Sequence, residues 1–158
     1  MQDKTAAANS DASWLDQSPT HLVHRVAQCA DDIFGAQMKD RDLTPRQLAV
    51  LVTVADNEGV TQTAIVERTG IDRSTMADVV RRLQKKGLLQ RRRTQKDARA
   101  YAVTLTHQGR RLLRTAEPIA KRVDDRILEA LPAQRRQQFI AVLQSIVAAL
   151  KSSSSRDG

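Results

Sequence analysis

The side chains best suited to chemistry in this sequence are guanidinium, ammonium and hydroxyl groups concentrated between residues 71 and 99. This window holds ten Lys or Arg and three Asp, a net charge of +7, whereas the whole chain carries +8. Guanidinium groups donate hydrogen bonds to phosphate oxygens and to guanine edges, and hydroxyl groups bind both phosphates and bases. The composition of the window therefore predicts double-stranded DNA as the partner.

The first half of this window is predicted to be a helix with two different faces. Asp72 or Ser74 caps its start and Gly87 ends it. One face is apolar and consists of Met76, Val79, Val80 and Leu83. The opposite side carries the candidate DNA contacts Arg73, Ser74, Thr75, Asp78, Arg81 and Arg82. Asp78 would either accept a hydrogen bond from cytosine or orient a neighbouring arginine. The alternative interpretation is that this whole face of the helix is only a solvated surface.

The second half of the window is predicted to be a hairpin, with strand-like runs at 88–93 and 100–105 around a charged turn. Arg99 in this turn fits a narrow minor groove, where the negative potential is enhanced, and Asp97 would hold the loop or the guanidinium. The alternative is an exposed ion pair of little energetic value. Phosphate contacts are predicted for Arg91, Arg92, Arg93 and Lys96, although strand alternation cannot turn all three arginines toward DNA.

Helix start and stop signals place five further helices around this window. The first runs from Ser18-Pro19 to about Met38, and the others start near Thr44, Thr61, Thr106 and Pro132. The third and fourth helices are joined by residues 69–71, a link typical of a helix-turn-helix. The predicted fold is therefore mostly α, about six helices with a small β-hairpin wing: a winged helix-turn-helix.

The expected domain organisation follows from the same elements. Residues 1–17 form a flexible N-terminus, 18–42 a first dimerisation helix, 43–105 the winged helix-turn-helix, 106–151 the C-terminal dimerisation helices and 152–158 a flexible tail. The apolar stripes of the chain-end helices are too wide for the winged module to cover. We therefore expect a homodimer, which also suits palindromic DNA with half-sites about one helical turn apart.

Several other classes of protein are not supported by the sequence. It has one cysteine, a polar start without an apolar signal segment, and only a short apolar run at 48–55, so we expect a cytoplasmic protein, associated with the nucleoid when bound to DNA. It has no glycine-rich phosphate loop, nucleophile–base set or paired-carboxylate motif. We therefore expect neither an enzyme nor a cofactor.

A second candidate site lies on the predicted first and second helices. His21 and His24 are spaced for metal ligation, but a metal site needs further ligands that the nearby sequence does not offer. They fit better as polar lining of a pocket for a small effector, with the remaining candidates Arg25, Gln28 and Arg46. In this interpretation Arg25 is the counter-charge for a carboxylate; the alternative is that all five are surface or interface residues.

Three stretches of the sequence resemble the MarR family of bacterial winged-helix regulators: 43–51, 71–89 and 97–106. The wing pattern of that family, Asp-x-Arg followed by a short strand ending Leu-Thr, is complete at Asp97, Arg99, Leu105 and Thr106. The resemblance implies a dimer built through the chain-end helices, a recognition helix in the major groove and wings over the minor groove. It also implies a small effector, often an aromatic acid, bound between the dimerisation helices and the DNA-binding lobe.

The resemblance raises one alternative for Cys29, because a branch of this family senses oxidants through a first-helix cysteine. Only about 14 residues separate Cys29 from Leu43, which is a shorter gap than in that branch. The tyrosines expected beside such a cysteine are absent, since the sole tyrosine lies in the predicted wing. We therefore expect Cys29 to be a small buried residue. The leading hypothesis is a ligand-responsive, sequence-specific regulator, most simply a repressor; the alternatives are a non-specific architectural DNA-binding protein and a redox- or metal-responsive switch.

Overall fold

The computed structural model describes residues 13–93 and 101–154, with side chains to residue 151. This part of the chain contains six α-helices: α1 (Pro19–Met38), α2 (Pro45–Asp56), α3 (Gln62–Thr69), α4 (Arg73–Lys85), α5 (His107–Leu128) and α6 (Ala133–Ser154). Its strands are β1 (Val60–Thr61), β2 (Leu89–Arg93) and β3 (Tyr101–Leu105), and 3-10 turns lie at Trp14–Gln17 and Lys39–Arg41. The chain divides into a first unit, residues 1–119, and a second unit, residues 120–158.

The helices begin where short polar side chains can cap them. Ser18 and Thr61 each accept a hydrogen bond from the backbone of their helix, and Pro19 occupies the first position of α1. Thr44 and Gln47 form a reciprocal capping box at the start of α2. Asp72, rather than Ser74, caps α4. These caps satisfy backbone N–H groups that the helices themselves leave unpaired, and they confirm the predicted helix starts.

The sheet has three antiparallel strands in the order β1-β3-β2, so the predicted hairpin is confirmed and gains a third strand. In the register, Val103 of β3 pairs with Val60 on one side and with Arg91 on the other. The added strand β1 is only two residues long and offers no periodicity to detect. The predicted turn at 94–99 and Ala100 lie outside the described residues.

The core of the first unit lies where α2 packs against α3, α4 and β3. The buried face predicted for α4 is confirmed, since Met76, Val79, Val80 and Leu83 are all buried. For α2 the sequence predicts an apolar face of Leu48, Leu51, Val52 and Ala55. This was partly wrong, because Val52 and Ala55 are only half-buried whereas Val50 and Val54 are buried. The difference arises because α2 is surrounded by three elements, so its buried surface is wider than one stripe.

The apolar residues of α1 and α6 are largely exposed, whereas α5 buries Leu113, Ala116, Ile119 and Val123. In the first unit, α1 buries only Phe34 and Met38, while Leu22, Val23 and Val26 are exposed. In the second unit, α6 exposes Val142, Leu143, Ile146 and Val147. Across the described part of the chain, every helix is too short or too polar to serve as a membrane span.

Candidate nucleic-acid interface

The orientation of α4 is fixed by its buried side and by its cap. Met76, Val80 and Leu83 have no exposed surface, so rotation of the helix about its axis would bring apolar surface into water. At its start, Asp72 Oδ1 accepts a hydrogen bond from the Thr75 backbone N–H at 2.9 Å. Hydrogen bonding to Thr75 lowers the pKa of Asp72, because it stabilises the charged carboxylate. The opposite side of α4 is therefore held toward solvent.

The outward face of α4 carries the predicted DNA contacts in an ordered arrangement. Arg73 and Ser74 are exposed, Thr75 is half-buried, and the side chains of Arg81 and Arg82 are 77% and 67% exposed. Asp78 pairs with both arginines: its Oδ2 lies 2.7 Å from Arg82 Nε, and its Oδ1 accepts from Arg81 Nη2. One carboxylate thus directs two guanidinium groups, which retain free N–H donors for base edges or phosphates.

The base of the wing carries three exposed arginines, Arg91, Arg92 and Arg93. Because side chains alternate along a strand, Arg91 and Arg93 share one face of β2 and Arg92 lies on the other. Arg91 Nη2 donates a hydrogen bond to Oε1 of Gln62, the first residue of α3. This contact ties the wing to the helix-turn-helix. It was not foreseen, and no local sequence pattern indicates it. Lys96, Asp97 and Arg99 lie outside the described residues.

The end of α4 is braced by the first turn of α5. Thr106 Oγ1 donates to the carbonyl of Gly87 at 2.6 Å and accepts from the backbone N–H of Gly109 at 3.0 Å. Gly87 has a φ of +70°, which glycine adopts without strain. A Cβ added to Gly109 would lie 2.1 Å from the Leu88 carbonyl oxygen, so only glycine permits this approach. We call these contacts of Thr106 and Gly109 with Gly87 and Leu88 the brace. The brace fixes the direction of the chain where it passes from α4 to β2.

A second contact joins α4 to the connection between α1 and α2. Lys86 Nζ lies 2.7 Å from Asp42 Oδ2 and also donates to the Asp42 backbone carbonyl. Asp42 has a φ of +47°, the left-handed region that non-glycine residues rarely adopt. The hydrogen bond and the positive charge of Lys86 lower the pKa of Asp42. This pair was not predictable from the sequence, because the two residues are 44 positions apart.

The five predicted effector residues are not brought together in one described cavity. Arg46 lines a cleft of about 620 Å³ between α1, the start of α2 and α4, together with Phe34, Thr75 and Arg82. The other four lie on α1 and do not line this cleft: His21 is half-buried, and His24, Arg25 and Gln28 are exposed.

The remaining α1 candidate is Cys29, and the expectation that it is buried was wrong, because the thiol is exposed. Leu22, Val23 and Val26 of α1 are exposed as well, so none of the described residues buries the face that carries Cys29. Within residues 13–93 and 101–154, no three His, Cys, Asp or Glu side chains are grouped so as to hold a metal ion.

A helix-turn-helix whose second helix presents paired arginines, followed by an antiparallel wing with arginines at its base, defines a winged-helix DNA-binding module. The profile of the MarR family matches residues 41–100, which include α2, α3, α4 and β2. The transcriptional regulator HosA of Escherichia coli O157:H7 is 32% identical over 106 residues, covering 67% of this chain and 78% of HosA. The chain therefore belongs to the MarR family and is a transcriptional regulator.

Two solved structures extend the similarity beyond the module. BpsR of Bordetella bronchiseptica, whose DNA binding is regulated by 6-hydroxynicotinic acid, matches with a TM-score of 0.79 and 28% identity over 83% of this chain and 94% of BpsR. The transcriptional repressor CouR, bound to a 23-mer DNA duplex, matches with a TM-score of 0.80 and 28% identity over 89% of this chain and 99% of CouR. Among these relatives, HosA is a transcriptional regulator and CouR is a transcriptional repressor.

Proposed function

We propose that this protein is a ligand-responsive repressor that binds an inverted-repeat operator as a homodimer and is released by a small aromatic acid. The observation that carries the proposal is the outward face of α4, where Asp78 directs Arg81 and Arg82 while the buried side prevents rotation. Guanidinium groups held in a fixed direction favour base readout over diffuse attraction to phosphate. The DNA-bound relative CouR is consistent with this use of the fold.

The proposed contacts divide by groove. The start and outward face of α4 enter the major groove through Arg73, Ser74, Thr75, Asp78, Arg81 and Arg82. The wing base and turn contact phosphates through Arg91, Arg93 and Lys96, while Arg99 enters the minor groove with Asp97 orienting it. Arg91 is also bound to Gln62, so its approach to DNA is set by the position of α3.

The proposed dimer explains the exposed apolar faces of both units. In the first unit, Leu22, Val23 and Val26 project from α1, and in the second unit Val142, Ile146 and Val147 project from α6. A contiguous exposed apolar surface marks an association site. A second copy supplies equivalent surface, and its two-fold symmetry matches an inverted repeat.

The proposed effector is a small aromatic acid, by analogy with the 6-hydroxynicotinic acid that regulates BpsR. Arg25 and Arg46 are the candidate counter-charges for its carboxylate, with His21, His24 and Gln28 as polar lining on α1. The effector releases DNA by binding better to a conformation in which the two recognition helices no longer fit successive grooves. Its affinity for the DNA-bound form must therefore be weaker than for the free dimer.

Fluorescence anisotropy tests the proposal by measuring two dissociation constants at the same salt concentration. One is for the DNA upstream of the gene that encodes this chain, and the other is for a scrambled duplex. We expect a preference of at least about a thousandfold for the operator. Arg82→Gln should weaken operator binding about tenfold or more and reduce the preference. The matched control is Arg114→Gln, an equal loss of charge at an exposed position on α5, and it should preserve the preference.

Equal affinities for the two duplexes would contradict sequence-specific regulation and would favour a non-specific architectural role with a steep salt dependence.

Arg99→Ala tests the wing separately. It should lower the affinity for operator DNA, because it removes a cation from the enhanced potential of the minor groove. An unchanged affinity would contradict the assignment of Arg99 to the minor groove.

A further inference from the structure

The outward face of α4 carries a carboxylate on a surface that is proposed to approach DNA. Among the 13 residues of α4, all of which the structure describes, Asp78 is the only acidic one. A duplex is densely negative, so a carboxylate on this face repels the phosphates and lowers the affinity for DNA of any sequence. The position of Asp78 therefore needs a role that compensates for this repulsion.

Both carboxylate oxygens of Asp78 are bound by arginines of the same helix. Oδ2 lies 2.7 Å from Arg82 Nε, and Oδ1 accepts a hydrogen bond from Arg81 Nη2. The arginines follow Asp78 by three and four positions, so one helical turn brings the three side chains together. Because two cations already compete for its oxygens, Asp78 is a poor acceptor for the amino group of a cytosine.

The contacts with Asp78 leave the ends of both guanidinium groups available to DNA. Arg82 is held through Nε, which leaves its two terminal nitrogens, and Arg81 is held through one terminal nitrogen only. Two parallel N–H donors match the O6 and N7 acceptors of guanine, and no other base presents two acceptors in the major groove. The orientation of both arginines therefore favours guanine.

The shared carboxylate also limits the distance between the two arginines. Two nitrogens that donate to one carboxylate lie within about 7 Å of each other, or two base-pair steps at roughly 3.4 Å each. Guanidinium groups held in this way reach base pairs that are adjacent or are separated by a single pair.

We propose that Asp78 is a positioning residue that determines specificity, and that each operator half-site presents two guanines at this spacing to Arg81 and Arg82. This step rests on the proposed function. Asp78 acts through the two arginines rather than on a base. It orders two long side chains in the folded protein, so less of their conformational entropy is lost on binding. Its charge also weakens binding to DNA that lacks the two guanines.

Base analogues test the guanine contacts with the native chain. In the half-site found by footprinting, each guanine is replaced in turn by 7-deazaguanine, which lacks the N7 acceptor. Two positions at the stated spacing should each weaken binding about tenfold. Inosine at the same positions is the matched control, because it keeps O6 and N7 and lacks only the minor-groove amino group, and it should bind normally. Tolerance of 7-deazaguanine at every position would overturn the guanine contacts.

The role of Asp78 is tested by removing its carboxylate. Asp78→Ala should raise the affinity for a scrambled duplex, because a repulsive charge is lost, and should lower the affinity for the operator. The preference for the operator should therefore fall about tenfold. Glu67→Ala, an equal loss of charge at an exposed position on α3, should preserve the preference. Thermal unfolding shows that each variant is folded before its affinities are compared.

Arg81→Lys tests readout by the guanidinium at constant charge. Lysine lacks the two parallel donors, so the preference for the operator should fall. One of the two sensitive guanines should then tolerate 7-deazaguanine, because the side chain that contacts its N7 is gone. A preference retained in full would identify a phosphate contact and would overturn base readout by Arg81.

The outcomes separate this inference from the proposed function. A native chain that prefers its operator, with an equal preference in Asp78→Ala, would overturn the positioning role and leave the regulator intact. Equal affinities of the native chain for operator and scrambled DNA would contradict the proposed function, and this inference with it.

Discussion

Helices α4 and α6 carry apolar residues at similar helical spacing, yet the structure treats them in opposite ways. In α4, Met76, Val80 and Leu83 have no exposed surface, whereas in α6 Ile146 and Val147 are 47% and 54% exposed. Helix α4 packs against α2, α3 and β2 of its own unit, and these elements bury its apolar face. Periodicity therefore predicts that a helix has an apolar face, but it does not predict whether the same chain or a second copy buries that face.

This difference divides the energetics of the protein into two parts. The direction of α4 depends on contacts within one chain, so it is independent of protein concentration. The apolar face of α6 is proposed to be covered by a second copy, so its contribution depends on concentration. We make four predictions, in order of decreasing expected effect. Each names a measurement whose result either contradicts the assigned contacts or gives their size.

The largest effect is expected in the core beneath α4. Leu83→Ala should reduce the free energy of unfolding by about 2–5 kcal/mol, because it leaves a cavity at a position with no exposed surface. Urea unfolding at fixed protein concentration measures the loss. Arg81→Ala on the outward face of the same helix is the control, with a change of less than about 1 kcal/mol. Similar losses for the two variants would contradict the assigned faces of α4.

The next largest effect concerns α6 and association. Ile146→Arg should raise the dimer dissociation constant at least about a hundredfold, because a charge replaces apolar surface at the proposed interface. Sedimentation velocity over a dilution series measures it. Gln144→Arg, at an exposed polar position of the same helix, should leave the dissociation constant nearly unchanged. A dimer insensitive to Ile146→Arg would remove α6 from the interface.

A smaller effect is expected at the brace behind α4. Gly109→Ala should destabilise the protein by about 1–3 kcal/mol, because the new Cβ meets the Leu88 carbonyl oxygen and backbone must move. Gly35→Ala in α1 is the matched control, since a Cβ there meets nothing within 4 Å. It should be neutral or stabilising by about 0.5–1 kcal/mol. Thermal unfolding of both variants tests the contrast, and equal shifts would contradict the close approach at Gly109.

The smallest effect is the pH dependence of the α4 cap. Hydrogen bonding to Thr75 places the folded pKa of Asp72 below its ordinary value of 3.8. A carboxyl shifted in this direction stabilises the fold fully above its unfolded pKa and loses that contribution as the pH falls through its folded pKa. Urea midpoints of the native chain and of Asp72→Asn should therefore differ at pH 6 and converge toward pH 3. A gap that widens on acidification would contradict the lowered pKa.

The sequence was sufficient for features that depend on neighbouring residues. The Ser18 and Thr44 caps and the buried face of α4 follow from patterns within a few turns of helix, and all are present. It was insufficient where distant residues meet. Arg91 and Gln62 are 29 positions apart, and β1 is too short to show alternation.

The candidate site divides in the same way. The outward face of α4 was predictable residue by residue, because helical spacing alone separates Arg81 and Arg82 from the buried positions. The pair that holds the end of α4 was not, since Lys86 and Asp42 are 44 positions apart. The exposure of Cys29 was also mispredicted, because the residues that the structure describes leave Leu22, Val23 and Val26 of α1 exposed beside it.

Hydroxyl-radical footprinting of the full chain, on the DNA upstream of its gene, tests whether two rigidly directed α4 helices bind one duplex together. We predict two protected half-sites of inverted sequence with centres about 10 base pairs apart, both weakened by Arg82→Gln. Protection of a single half-site, or uniform protection that ignores sequence, would contradict the account.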